Sequence, residues 1–376
     1  MSAGAKAPLI LLAAGGTGGH LFPAEALANV LVSRGFRVDL VTDHRVSNYL
    51  GKFPAGDVHV VSADTLRGDN PLRLALTFFR LGIGTLRSIF LLLKLRPKAV
   101  VGFGGYPTLP PMFAAKLLFI PTIIHDANAV MGRANRLIAK FASAIATGYA
   151  RTADASLEYK ATRTGNPVRP TVAAASRESY PMISETSPLK LVVFGGSQGA
   201  RVMSEIVPGA LGQLEEKFRS RLEIVQQSRE EDLAEARAIY RRLNIKAELA
   251  PFFSDLPAKI AASHLVIGRS GASTVSELAA IGRPSILVPL PHAIDNDQLA
   301  NASSLAAAGG AIVIRQNDFT SERLASELTT LFSDLSRLPA MAKSAKAEGR
   351  IDAAARLADL VMKVAGVAAL DNDPVI

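Results

Sequence analysis

Short, continuously apolar runs closed by glycine or proline recur along this chain, and between them apolar residues return every third or fourth position. Pro8–Ala14 is the first such run and reads as a buried strand ending in a glycine-rich turn. The spacing then predicts a helix over His20–Arg34, with Leu21, Leu27, Ala28 and Leu31 on one face. Further strands are predicted at Phe36–Thr42, Ala99–Phe103, Thr122–His125 and Ala144–Thr147, with helical stretches between them. Runs that are apolar throughout, instead of alternating, suit strands covered on both faces. Strand–helix alternation at this spacing therefore predicts an α/β fold with a parallel, doubly wound sheet.

The pattern lapses between Asn166 and Pro188 into Pro, Ser, Thr and Glu, which marks a linker without implying a long flexible tether. It then restarts with a strand at Leu189–Phe194, a glycine loop and a helix from Arg201. Strands follow at Leu222–Val225, Leu265–Ile267, Ser285–Val288 and Ala311–Ile314, and Ser321–Val367 reads as a helical tail. The same plan is present twice. At 376 residues the chain is long enough for two domains, each with its own core.

Composition changes this picture in three ways. Apolar residues make up 49% and tryptophan is absent, so the cores rest on Leu, Ile, Val and Ala. The chain has no cysteine, which excludes disulfides, thiol nucleophiles and cysteine-based zinc sites. The formal charge of +9 favours an anionic partner. Lys6 followed by Pro8–Ala14 imitates a secretory signal, but the apolar run is short and breaks into a glycine turn, so a first strand is the reading taken. Leu72–Leu95 is strongly apolar yet carries Arg73, Arg80, Arg87 and Lys94 at intervals of seven. On a helix these cations form a slowly drifting stripe amid Leu76, Phe79, Ile83, Leu86, Phe90 and Leu93. The segment is too charged to span a bilayer and suits the headgroup region of an anionic membrane, or a core helix with a basic face. Gly82 and Gly84 leave one helix or two equally open.

Two matching loops carry candidate chemistry. Gly15-Gly16-Thr17-Gly18-Gly19-His20 and Gly195-Gly196-Ser197-Gln198-Gly199-Ala200 each follow a first strand and open a helix. Glycines let the backbone approach a ligand closely, and the N–H groups and dipole of a helix start favour a phosphate. Asp39 and Asp43 fall near the end of the second strand, where a dinucleotide-binding domain keeps its ribose acid, but neither loop spells G-x-G-x-x-G. Further on, Thr274 and Glu277 fit a helix capping box and Gly282 with Pro284 a helix stop, while a carboxylate at Glu277 suits ribose hydroxyls. Asp295-x-Asp297 has the form of a metal-binding pair but is also ordinary at a helix start, and no metal is expected. Gln298 donates and accepts, as sugar hydroxyls require.

Thr17-Gly18-Gly19-His20, Gly104-Gly105-Tyr106, Gly195 to Arg201, Thr274 to Glu277 and Asp297-Gln298-x-x-Asn301-Ala302 occur together and in order. In this combination, over almost its whole length, the chain resembles the MurG family of bacterial peptidoglycan N-acetylglucosaminyltransferases. The resemblance implies a GT-B fold, two Rossmann-like domains facing across a cleft. Residues 1–167 would form an acceptor and membrane-associated domain, 168–349 a UDP-GlcNAc domain, and a C-terminal helix over about 350–376 would pack back on the first. It implies transfer of GlcNAc from UDP-GlcNAc to the MurNAc 4-hydroxyl of undecaprenyl-pyrophosphoryl-MurNAc-pentapeptide, lipid I to lipid II, with inversion and without a cofactor. The enzyme would work as a peripheral protein at the cytoplasmic face of the inner membrane. Carried over by motif, Thr17, Gly18 and Gly19 would lie near the diphosphates, Asn128 on the donor sugar, Arg169 on the nucleotide, Ser197 on phosphate, Glu277 on ribose and Gln298 on GlcNAc. Phe253 would present its backbone to uracil. The family usually has His-Glu-Gln-Asn where this chain has His125-Asp126-Ala127-Asn128, so one amide is missing from that loop.

An inverting transfer needs a base for the acceptor hydroxyl. His20 is the first choice, since imidazole titrates near working pH and the adjoining helix start favours its neutral form; His125 is the second. Departing UDP would be met by backbone N–H groups, the helix dipole and Arg169. The alternatives are a UDP-GlcNAc 2-epimerase of the same fold, which has no use for a basic apolar stripe, and an NAD(P)-dependent oxidoreductase using Asp39 or Asp43. Nucleic acid is not expected as a partner, because net charge comes without an aromatic platform or a recognised motif.

Overall fold

The computed structural model describes residues 7–15, 18–43, 53–61, 71–150, 155–196, 199–291 and 294–368. The chain divides into two compact units, 1–169 with 351–376, and 170–350.

In the first unit the strands are β1 (Leu9–Ala13), β2 (Arg37–Thr42), β3 (Val58–Val60), β4 (Ala99–Gly102), β5 (Thr122–Asp126), β6 (Ala144–Thr147) and β7 (Ala161–Arg163). They form one parallel sheet in the order β3-β2-β1-β4-β5-β6-β7, with Ile10 opposite Val38 on one side and Ala99 on the other. The order reverses between β1 and β4, the place where ligands bind outside the carboxyl ends of such sheets. Alternation along β1 divides its side chains between two layers. Ile10 and Leu12 join the core under α1 (Gly18–Ser33), whereas Leu11 and Ala13 join the opposite core under α2 (Pro71–Leu95), α3 (Leu109–Leu117) and α4 (Arg133–Ala139). Burial on both faces is why β1 is apolar at every position.

The second unit opens with α5 (Pro170–Ala175) and contains β8 (Leu189–Phe194), α6 (Arg201–Gly212), α7 (Glu216–Arg219), β9 (Leu222–Gln227), α8 (Leu233–Arg242), β10 (Lys246–Ala250) and α9 (Leu256–Ala261). It continues with β11 (Leu265–Gly268), α10 (Ala272–Ile281), β12 (Ser285–Leu287), α11 (Asp297–Ala307), β13 (Ala311–Val313), α12 (Ser321–Ser333) and α13 (Arg337–Glu348). Its sheet is parallel in the order β10-β9-β8-β11-β12-β13, again reversing beside the first strand. The last helix, α14 (Ala353–Ala365), belongs to the first unit. There it sets Leu357, Ala358 and Val361 against the α1 side of the core, and Asp359 pairs with Arg34 at 2.6 Å.

Two expectations are refined, one left open is settled, and one is overturned. The helical tail is three helices, broken after Ser333 and again after Glu348. Leu72–Leu95 lies within a single helix despite its glycines, because Gly84, Ser88 and Leu92 supply a buried face, with the Ser88 hydroxyl donating to the Gly84 carbonyl. The segment read as a linker is packed on the second unit. Arg283, fully buried, donates to the carbonyls of Ser179 and Ala261, Lys346 donates to Ser176, and the Tyr180 hydroxyl to His264. Finally, Thr274 does not cap α10, because the helix starts three residues earlier with Gly271 as N-cap. Glu277 therefore sits inside the helix and is buried. Gly282 does end it, in the left-handed conformation at φ 75°.

Candidate functional site

In the first unit the glycine loop leaves β1 at the sheet's reversal point. Gly15 donates to the Gly104 carbonyl, and a Cβ at Gly15 would stand 3.2 Å from that oxygen, from Gly105 Cα and from Pro107 Cδ. Gly104 and Gly105 have φ of 97° and 81°, where side chains are disfavoured. The space they leave is filled by His20, half-buried in the first turn of α1: its Nε2 lies 3.1 Å from where a Cβ on Gly104 would be. Gly18 and Gly19 begin the same helix; Thr17 lies outside the described residues.

His125, by contrast, is built in. It is the penultimate residue of β5 in a fully buried position, its Nε2 donates to the Gly165 carbonyl at 3.1 Å, and its Nδ1 has no hydrogen-bond partner among the described residues. Burial is the largest cause holding its pKa down at about 4, with the nearby His20 adding to the effect. An imidazole so committed is neutral and holds the Gly165-Asn166 turn. Its neighbour Asp126 organises the loop in which the family amide is missing. Oδ1 accepts from the Asn128 N–H at 3.0 Å, and Oδ2 from the Gly132 N–H at 3.1 Å and the Asn135 amide at 2.9 Å. Asn166 donates to the Ala127 carbonyl at 2.8 Å, so the backbone holds the loop at the position where the amide side chain is absent. Asn128, half-buried, is held in this frame by its backbone N–H. Asn135 and Asn166 escape sequence reading because their partners are 9 and 39 residues away.

Arg169 closes the N-terminal segment of the first unit, with its guanidinium 4.3 Å from the centre of the Phe22 ring on α1. It thus belongs to the unit of His20 and Asn128, while Glu277 and Gln298 belong to the other.

In the second unit Gly195 and Gly196 leave β8, and Gly196 and Gly199 take φ of 89° and 68° before α6 begins. Ser197 lies outside the described residues. On the neighbouring strand, β11 leads through Ser270 and Gly271 into α10. The Ser270 hydroxyl donates to the Gln298 carbonyl at 2.8 Å, and the Asn301 amide donates to the Ser270 carbonyl at 3.3 Å, which ties the start of α11 to the start of α10. The side chain of Gln298 accepts from the Leu290 N–H at 3.0 Å. That bond fixes the amide's orientation, and its Nε2 makes no hydrogen bond among the described residues. Arg269, missed in the sequence, supports the same turn by donating to the carbonyls of Val288 and Pro289.

Asp295 and Asn296 precede α11 in left-handed conformation, φ 61° and 52°, which Asp and Asn tolerate best among side-chain-bearing residues. Asp297 uses Oδ1 to accept the Gln298 N–H at 2.8 Å, and burial pushes its carboxyl above the ordinary range. The pair shaped like a metal motif is thus one exposed turn residue and one helix-start acceptor. Phe253 is half-buried beneath the Lys259 ammonium, 5.1 Å away.

Residues 10–147 match the Glycosyltransferase family 28 N-terminal domain and 190–357 the Glycosyltransferase family 28 C-terminal domain. The chain is 60% identical, over 96% of its own length and 100% of the other's, to the UDP-N-acetylglucosamine--N-acetylmuramyl-(pentapeptide) pyrophosphoryl-undecaprenol N-acetylglucosamine transferase of Rhodopseudomonas palustris (strain BisB5). Among solved structures it is similar to the MurG of Acinetobacter baumannii, with TM-score 0.77 and 31% identity over 95% of this chain and 99% of that one. A putative UDP-N-acetylglucosamine 2-epimerase from Listeria monocytogenes shares the fold at TM-score 0.67 but only 15% identity, covering 95% and 96% of the two chains.

Proposed function

The chain belongs to glycosyltransferase family 28 and has its GT-B fold, and from that membership we propose that it transfers N-acetylglucosamine from UDP-GlcNAc to lipid I, giving lipid II of peptidoglycan synthesis. The observation that carries this reading is the 60% identity, over 96% of the chain, to a transferase named for that reaction. The second unit takes the donor: the Gly195 loop and the start of α10 offer N–H groups to the diphosphate, Ser197 binds phosphate, Glu277 accepts from ribose hydroxyls, and the oriented Nε2 of Gln298 donates to the sugar. The first unit takes the acceptor through Thr17, Gly18 and Gly19, with Asn128 contributing to the donor sugar and Arg169 to the nucleotide.

The reaction is a single displacement. His20 removes the proton of the MurNAc 4-hydroxyl, the oxygen bonds to the anomeric carbon, and the bond from that carbon to the UDP oxygen breaks with inversion. Negative charge accumulating on UDP meets backbone N–H groups and Arg169. UDP release that depends on a lipid I analogue tests the assignment; UDP release with free ManNAc and no acceptor would select the epimerase.

We further place the enzyme as a peripheral protein on the cytoplasmic face of the inner membrane, bound through α2. Among the described residues no helix is long and apolar enough to cross a membrane. The outward face of α2 nevertheless carries Phe79 at 65% exposure, Phe90 at 72%, and Leu76, Ile83, Leu86 and Leu93, flanked by exposed Arg80, Arg87 and Lys94. A contiguous apolar stripe of this kind beside cations suits an anionic lipid surface. Substituting both Phe79→Ser and Phe90→Ser is expected to weaken sedimentation with phosphatidylglycerol vesicles at least about tenfold, since each buried Phe contributes on the order of 1.5–3 kcal/mol. Equal vesicle binding by variant and wild type would refute this face as the anchor.

A further inference from the structure

Gln227 ends β9 with its side chain buried. Its Oε1 accepts from the Gly195 N–H at 3.3 Å, and its Nε2 donates to the Pro251 carbonyl at 3.0 Å. β9 lies between β8 and β10 in the sheet, so one amide joins the glycine loop after β8 to the turn after β10. Neighbouring polar groups serve elsewhere. Gln226 accepts from the Tyr240 hydroxyl at 2.5 Å and donates to Ser228, and the Ser204 hydroxyl donates to Ser228 as well.

The loop needs such support because of its own chemistry. Gly196 and Gly199 give it left-handed turns at the cost of a large conformational entropy when ordered. Gly195 has no side chain with which to brace itself, and no room for one: a Cβ there would stand 2.2 Å from the Ala200 nitrogen. We propose that Gln227 is a positioning residue that presets the second glycine loop for the diphosphate of the donor nucleotide and links it to the turn at Pro251. The proposal rests on the reading of the second unit as the donor site. An amide is required because one end must accept while the other donates; a carboxylate does only the first, and a thioether accepts weakly and donates nothing.

Gln227→Met preserves length and removes both bonds, and Gln227→Glu keeps the bond from Gly195 but loses the one to Pro251. Both are expected to raise the Kd for UDP in calorimetry, the Met variant by about tenfold, as for loss of a buried hydrogen-bond partner. Donor KM should rise in parallel, while kcat at saturating donor and acceptor KM stay within about twofold of wild type. If the Met variant melts well below wild type, the Glu variant, which matches Gln in shape, carries the comparison. Unchanged UDP affinity in both variants overturns the proposal, as does a fall in kcat with donor KM unaltered. A wild-type protein that fails to bind UDP would instead overturn the donor assignment beneath it.

Discussion

Replacing His20 with alanine is expected to lower kcat by about a hundredfold or more, the usual range for a lost general base, while the Kd for UDP-GlcNAc stays near wild type. The first reason is position. His20 stands in the first turn of the helix that follows β1, beside the point where strand order reverses, and Gly104 and Gly105 make room for its ring. The second is elimination between the two histidines of this site. His125 has its Nε2 engaged by the Gly165 carbonyl, is sealed from solvent and is held at about pKa 4, so it is a poor proton acceptor for a sugar hydroxyl. The third is that His20 and the donor-binding candidates Glu277 and Gln298 belong to different units. Loss of the imidazole therefore spares Glu277 and Gln298, while Asn128 and Arg169, in the first unit with His20, keep their own supports in the Asp126 carboxylate and the Phe22 ring. Calorimetry with the donor and initial rates at saturating lipid I analogue separate the two quantities. A kcat near wild type would sink the assignment, and so would a rise in acceptor KM alone, which would make His20 an acceptor-binding group.

What was legible in the sequence follows from burial. β1 and β8 are covered on both faces, so their apolar runs announced themselves, and the glycine loops behind them were marked by residues that few other structures require. The three strands that went unread, β3, β7 and β10, include both edges of the first sheet and one edge of the second. Val58-His59-Val60 is half open to solvent, and Lys246–Ala250 interleaves Lys246 and Glu248 with apolar residues, because an edge strand does not need two apolar faces. The capping box failed for a related reason. Thr274-x-x-Glu277 has the spacing, but Gly271 and Ala272 let the helix begin earlier, and Glu277 is turned from a cap into a buried carboxylate on the helix body. Motif spelling nominated the candidate site residues; it could not show that Arg169 packs on Phe22, or that Asp126 holds the Asn128 backbone, because those partners are set by the tertiary fold.

Among the glycines of the second loop, Gly195→Ala is expected to be the most damaging, abolishing measurable UDP binding, while Gly196→Ala weakens it by no more than about thirtyfold. The two positions are adjacent yet fail for different reasons. At Gly195 a methyl group would stand 2.2 Å from the Ala200 nitrogen and 2.5 Å from the Ala200 Cβ. These are atoms at the entry to α6, so no flexible side chain can yield; the loop must open or the helix start must move. Either displacement takes the N–H groups away from the diphosphate they are proposed to bind, and breaks the Gly195 bond to Gln227. At Gly196 nothing among the described residues lies within 4 Å of where a methyl group would stand, and only the φ of 89° opposes a side chain. That conformational penalty is on the order of 1–2 kcal/mol, enough for a several-fold to roughly thirtyfold loss if all of it reaches binding. Calorimetric titration with UDP, together with melting curves for both variants, reads the difference. Wild-type UDP affinity in a folded Gly195→Ala variant would mean that the second glycine loop does not hold the nucleotide. A reversed order, with Gly196→Ala the worse, would mean that backbone conformation and not the close packing against α6 sets the loop's shape.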